Sequence, residues 1–262
     1  MLVVASYLAE NARPVYERIA AYVGQRLGEP AELIRAPWDE RLQRLDGGSV
    51  DVAFLCGLPY TRRADRLELL GAPVMAAPRY RGRPVYFTDV IVRRDSPVRS
   101  FGELRGRVWA YNDDGSNSGY AMPRDHLLEL GETRGFFGEA IASGSHQQSI
   151  RLVLDRKVDA SGIDSTVLEL EQAQWAEVAR GLRVVESIGP GPIPPVVVAA
   201  GRPAALKARL REILLAMHDD PEGRAILADG LMARFVPVRD ADYDPIRAML
   251  RRAEATGFLV LR

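Results

Sequence analysis

A stretch of this chain recurs without a gap 108 residues further on. The segment WDERLQRLDGGSVDVAFLCG at 38–57 lies over HQQSIRLVLDRKVDASGIDS at 146–165. Leu42 falls on Ile150, Leu45 on Val153, Val50 on Val158, Asp51 on Asp159 and Leu55 on Ile163. Each copy predicts an amphipathic helix, a polar turn and a short buried strand. A solenoid needs several shorter repeats. Two copies this far apart predict two similar lobes instead, and two lobes imply a cleft in which a small ligand would sit.

Composition supports that size of structure. With 262 residues, 47% of them hydrophobic, the chain buries a substantial core in one large or two medium domains. A formal net charge of zero removes the basic footprint of a general nucleic-acid binder. Cys56 is the single cysteine, which excludes an intrachain disulfide and a cysteine metal cluster. The three histidines lack metal-ligand spacing, so no metal and no cofactor are expected. No apolar stretch approaches the ~20 residues of a membrane span. The opening MLVVAS runs directly into a strand pattern with no export signal before it, so localisation stays open: cytoplasmic as written, periplasmic if a signal was trimmed.

Along the chain, strand patterns alternate with helix patterns. A helix is predicted over 12–27, where Val15, Ile19, Tyr22, Val23 and Leu27 form a stripe, Pro14 lies in the first turn and Gly28 follows the end. Further helices are predicted at 39–46, 120–130, 203–217, 221–229 and 242–255. Strands are predicted near 2–6, 32–36, 51–56, 67–75, 86–94, 107–111, 138–143, 182–187 and 196–200. The pattern predicts an α/β fold with mixed, mostly parallel sheets flanked by helices. Polar Pro/Gly links at 78–84 and 189–195 bracket a central segment. The expected organisation is lobe I from 1–85 and 193–262, and lobe II from 86–192.

Several stretches together resemble the phosphate/phosphonate-binding family of periplasmic solute-binding proteins, the substrate receptors of ABC importers. They are GSVDVAFLCGLPY at 48–60, YFTDVIVRRDSPV at 86–98, DGSNSGYAMP at 114–123 and GSHQQSIRLVLDRKVDASGIDS at 144–165. The resemblance covers roughly residues 1–240. It implies a two-lobed type II binding-protein fold that closes on a ligand at its hinge. It also implies a small anionic ligand, an ABC permease as partner, and no enzymatic activity.

The loop Ser116-Asn117-Ser118-Gly119-Tyr120 follows a strand and opens a helix. Free N–H groups and the helix dipole there suit an anion, although the same residues suit a plain cap and turn. The resemblance implies that this loop contacts the anion; the family's middle Thr is Asn117 here. It likewise implies that His146 binds the anionic head, in which case affinity falls as pH rises through an imidazole titration near neutrality. A capping role for His146 is the alternative. Trp38, equivalent to His146 in the echo, is either a pocket wall or a core residue. Asp164 is either a contact for an amine or hydroxyl, or a cap for the next turn. Tyr86, then Tyr60, then Tyr7 are further candidate contacts.

No Ser elbow, HExxH, P-loop or dinucleotide fingerprint is present. The expected protein is a monomeric solute-binding protein for a phosphate- or phosphonate-like anion, without nucleic acid or membrane insertion. The alternative is a cytosolic enzyme or ligand sensor on the same fold.

Overall fold

The computed structural model describes every residue except 37 and 134, and every side chain except theirs and those of 38 and 39. The chain divides into two compact units, Met1–Val85 with Pro192–Asp244, and Tyr86–Gly191 with Pro245–Arg262.

In the first unit, β1 (Leu2–Ser6), α1 (Arg13–Leu27), β2 (Ala31–Leu33), α2 (Trp38–Asp46), β3 (Val52–Phe54), α3 (Gly57–Thr61) and β4 (Leu67–Met75) follow in order. The second unit contributes β5 (Val85–Arg93), β6 (Val108–Tyr111), a wide turn at Asn117–Ala121, α4 (Met122–Glu129), β7 (Glu139–Ala142), α5 (His146–Leu154), β8 (Ala160–Asp164), α6 (Ser165–Gln174), α7 (Ala176–Gly181) and β9 (Leu182–Pro192). The chain then returns to the first unit with β10 (Val196–Ala199), α8 (Ala204–Leu215), α9 (Pro221–Asp229) and β11 (Met232–Val236), and ends in α10 (Asp244–Thr256).

The predicted features of α1 are present. Pro14 occupies the first turn, Gly28 terminates the helix at a φ of 75°, and Val15, Ile19, Tyr22 and Val23 are buried. The first sheet has the order β11-β4-β10-β3-β1-β2, with β1 parallel to β2 and β3, and β10 antiparallel to β3 and β4. The second has the order β7-β6-β8-β5-β9, with β6 parallel to both β7 and β8, and β5 antiparallel to β8. The core of the second unit is aromatic: the Trp109 and Phe137 rings stack at 4.7 Å, and those of Phe101 and Phe136 at 5.4 Å.

The internal echo has a structural cause. In both copies a helix (α2, α5) leads through a turn into a central strand (β3, β8). Just before each strand an aspartate clamps the parallel neighbour. The amide of Asp51 donates to Val3 O at 2.8 Å, while its Oδ2 accepts from Val3 N at 2.6 Å. The amide of Asp159 donates to Val108 O at 2.9 Å, and its Oδ2 accepts from Val108 N at 2.8 Å. Each carboxylate thus satisfies an amide near the start of the neighbouring strand, on the side where the parallel ladder has not yet begun.

The structure departs from the expected organisation at the C-terminus. Residues 245–262 pack with the second unit, not with the first. Phe258 and Leu261 enter its aromatic core, Arg252 forms an ion pair with Asp125, and Phe136 N donates to Arg262 O at 3.0 Å. The 189–195 link also differs: its first half is the end of β9, an edge strand in which proline costs no ladder bond. Helices α3, α6 and α7 and strand β11 were not anticipated, and the helix expected from residue 120 begins as the wide turn at 117–121.

Removing either clamp leaves a half-buried amide without its protein acceptor, at a cost of about 1 kcal/mol. Asp159→Ala and Asp51→Ala should each lower the denaturation midpoint, whereas Asp155→Ala, at an exposed position on the same turn, should leave it unchanged. Urea unfolding of the three variants checks this.

Candidate functional site

In the second unit the carboxyl ends of the parallel strands β6, β7 and β8 all run into helical segments. The loop after β6 opens the wide turn and α4, the loop after β7 opens α5, and β8 passes directly into α6. First-turn amides lack intrahelical acceptors and carry the positive end of the helix dipole. Each start is capped by one side chain. Ser116 Oγ accepts from Gly119 N at 3.0 Å, Ser145 Oγ from Gln148 N at 3.0 Å and Asp164 Oδ1 from Thr166 N at 2.8 Å.

The structure brings most of the predicted loop residues together with His146. Ser116, Asn117 and Ser118 are buried, and Ser118 Oγ lies 3.2 Å from His146 Nε2. Asn117 Nδ2 donates to the Tyr86 hydroxyl at 2.8 Å. The wide turn is closed by Ala121 N donating to Ser116 O at 3.1 Å. A Cβ on Gly119 would stand 1.8 Å from Asn112 Oδ1 and 3.3 Å from His146 Cε1, so only glycine fits against both. Thr88, which sequence reasoning missed, donates through Oγ1 to Ser118 O at 2.8 Å and holds the loop on β5. Its position on an alternating strand carried no signal that its hydroxyl faces the loop.

Burial lowers the His146 pKa to about 4. The imidazole is therefore neutral near pH 7, and the titration expected near neutrality is displaced well below it. Asp164 is shifted the other way. Burial raises its pKa to about 6 against the hydrogen bonds from Thr166, and Asp89 adds to the rise. It caps α6 through the Thr166 amide and hydroxyl, the latter at 2.7 Å.

Three predicted tyrosines have their hydroxyls engaged elsewhere. Tyr120 points into the second core, where its hydroxyl donates to Leu259 O and accepts from Leu261 N, both at 3.1 Å. In the first unit the Tyr7 hydroxyl donates to Arg41 O at 2.5 Å, and burial pushes its pKa up to about 12. Tyr60 donates to Asp240 Oδ1 at 2.8 Å and packs edge-on against Tyr243. The side chain of Trp38 lies outside the described residues. Among the described residues no group of His, Cys, Asp and Glu is placed to hold a metal ion, and no helix is long and apolar enough to cross a membrane.

Comparison with known proteins assigns this architecture. A family model described as "ABC transporter, phosphonate, periplasmic substrate-binding protein" matches residues 1–243. The phosphonates-binding periplasmic protein of Escherichia coli K12 is 21% identical over 261 residues, covering 97% of this chain and 76% of that protein. The binding-protein component of an ABC phosphonate transporter from Pseudomonas aeruginosa superposes with a TM-score of 0.85 at 21% identity, covering 98% of this chain and 87% of that one. PhnD1 of Prochlorococcus marinus, solved with methylphosphonate, gives 0.85 at 16% identity, covering 97% and 98%. These two structures share the two-lobed binding-protein fold. The matched family consists of substrate-binding transport proteins, which excludes the enzyme reading. With nearly the whole chain matched, this protein belongs to the phosphonate-binding family of ABC-transporter periplasmic substrate-binding proteins.

Proposed function

We propose that the chain binds a small phosphonate or phosphate-like oxyanion at the 116–119 loop and His146, as the receptor of an ABC importer. One observation carries this: a Ser-Asn-Ser-Gly loop at a helix start is joined through Ser118 and His146 to the start of a second helix. Backbone amides, two hydroxyls and an amide side chain supply neutral donors to the oxygens of the ligand. Tyr86 orients Asn117, and Gly119 keeps the floor of the cradle clear. The methylphosphonate bound by the Prochlorococcus relative supports a ligand of this size and charge. Asp164, next to Thr88 across the β5–β8 ladder, stands close enough to the loop to favour a ligand with a donor group beside its anion.

Charge-assisted hydrogen bonds are worth about 1.5–3 kcal/mol each. Ser118→Ala should weaken methylphosphonate binding about ten-fold or more by calorimetry, while alanine at the exposed Ser49 should leave it unchanged. Equal affinities in parent and Ser118→Ala would refute this site.

The pH profile should differ from one set by a protonated imidazole. Asp164 acquires charge as pH rises through about 6, which places a negative charge near the loop and weakens anion binding. His146 is already neutral across that range. Ionisation of the ligand itself is common to all variants. Between pH 5 and 7, affinity in Asp164→Asn should therefore fall about three-fold less than in the parent, whereas His146→Gln should keep the parent's slope at reduced affinity.

A further inference from the structure

Besides Asn117 Oδ1 in the loop itself, two buried polar atoms that flank the loop have no hydrogen-bond partner: Asn112 Oδ1 and His146 Nδ1. Neither belongs to a group that the binding reading uses at that atom. His146 presents Nε2, not Nδ1, to Ser118. Asn112 follows the carboxyl end of β6, and its orientation is pinned on the other side. Its Nδ2 donates to Asp113 Oδ2 at 2.7 Å, and the Asn112 backbone carbonyl accepts from Gly144 N at 2.8 Å, in the turn before α5. Exchanging the two ends of the amide would set an oxygen against a carboxylate, so Oδ1 must be the atom turned inward. There it lies against Gly119, in the space that a Cβ would fill, and His146 Cε1 borders the same space. Cε1 is bonded to both ring nitrogens, so Nδ1 lies one bond from that border.

We propose that Asn112 is a positioning residue for His146, with Nδ1–H of the imidazole donating to Asn112 Oδ1. That bond would satisfy both buried unpartnered atoms at once. A neutral imidazole carries one ring proton, so placing it on Nδ1 leaves Nε2 as an acceptor. In the free protein the Ser118 hydroxyl donates to that nitrogen. When an oxyanion enters, the hydroxyl turns onto it, and Nε2 is left to accept from a ligand oxygen that bears a proton. Asp113, Asn112 and His146 then form one chain of hydrogen bonds ending at the ligand, with the Ser118 hydroxyl donating to it separately, and the favoured form is the singly protonated oxyanion. This last step rests on the anion-binding reading, whereas the tautomer does not.

Nitrogen-15 NMR of the ring in the ligand-free protein at pH 7 separates the two. The expected result is protonated Nδ1 and unprotonated Nε2 for His146. Asn112→Ala should lose this single pattern and give averaged ring shifts. Gly119→Ala, whose methyl group displaces Asn112 Oδ1, should do the same. Methylphosphonate affinity should fall about ten-fold in Asn112→Ala. An Nε2-protonated ring in the parent, or an unchanged pattern in Asn112→Ala, would overturn the proposal. Should Asn112→Ala fail to fold, the parent and Gly119→Ala spectra decide it. A parent that shows the Nδ1 tautomer yet does not bind methylphosphonate would defeat the anion reading and leave the role of Asn112 standing.

Discussion

The amides at a helix start need acceptors, and in the second unit three such starts are crowded onto one sheet edge. Parallel pairing of β6 with β7 and β8 forces their carboxyl ends, and hence the starts of the following helical segments, to the same side. Each start has one capping side chain, Ser116, Ser145 or Asp164, and each cap satisfies only part of its turn. The surplus donors are what an anion can use. The proposed site uses no arginine or lysine for this purpose, and His146 and Asp164 beside it are both shifted by burial toward their neutral forms.

The same economy explains the internal repetition. A parallel strand enters its sheet with an amide that no neighbour reaches, and in both units the residue that reaches it is an aspartate at the end of the preceding turn. The two clamps differ in their surroundings. Asp51 is nearly buried and is joined at 2.5 Å by Arg202, whereas Asp159 is more open and Arg107 stands 3.9 Å away. The clamp is common to both units, and the added ion pairs are local.

Features governed by period and by chain-local chemistry were legible in the sequence. The α1 stripe, the Gly28 terminator and the strand–loop–helix context of 116–120 follow from side-chain spacing and backbone preference. Features decided by distant partners were not. The GPGP run reads as a link, yet β9 absorbs it because an edge strand offers a free side for proline. Tyr120, Tyr60 and Tyr7 look like pocket tyrosines, but their hydroxyls are claimed by Leu259 and Leu261, Asp240 and Arg41, partners up to 180 residues away. Asn112 carried no signal, because its neighbour Asp113 and the missing Cβ of Gly119 matter only once the loop has folded. The affiliation of α10 was hidden for a related reason: Phe258 and Leu261 are too few and too irregular to announce which core they enter.

The discontinuity of both units bears on how the chain is made. Strand β10 lies between β3 and β4 in the first sheet, so that sheet has a gap at its centre until residues 196–199 have been delivered. By then the whole of 86–191 has already been synthesised. That segment can gather its five strands early, but it must wait for residues 245–262 before Phe258 and Leu261 plug its aromatic core. On the ribosome, therefore, the unit begun first closes its sheet second, and the unit that pairs its strands first is sealed last. A chain of residues 1–192 alone would carry every strand of the second sheet but lack β10 and β11 of the first. Removing residues 257–262 would unplug the second core and leave the first sheet intact.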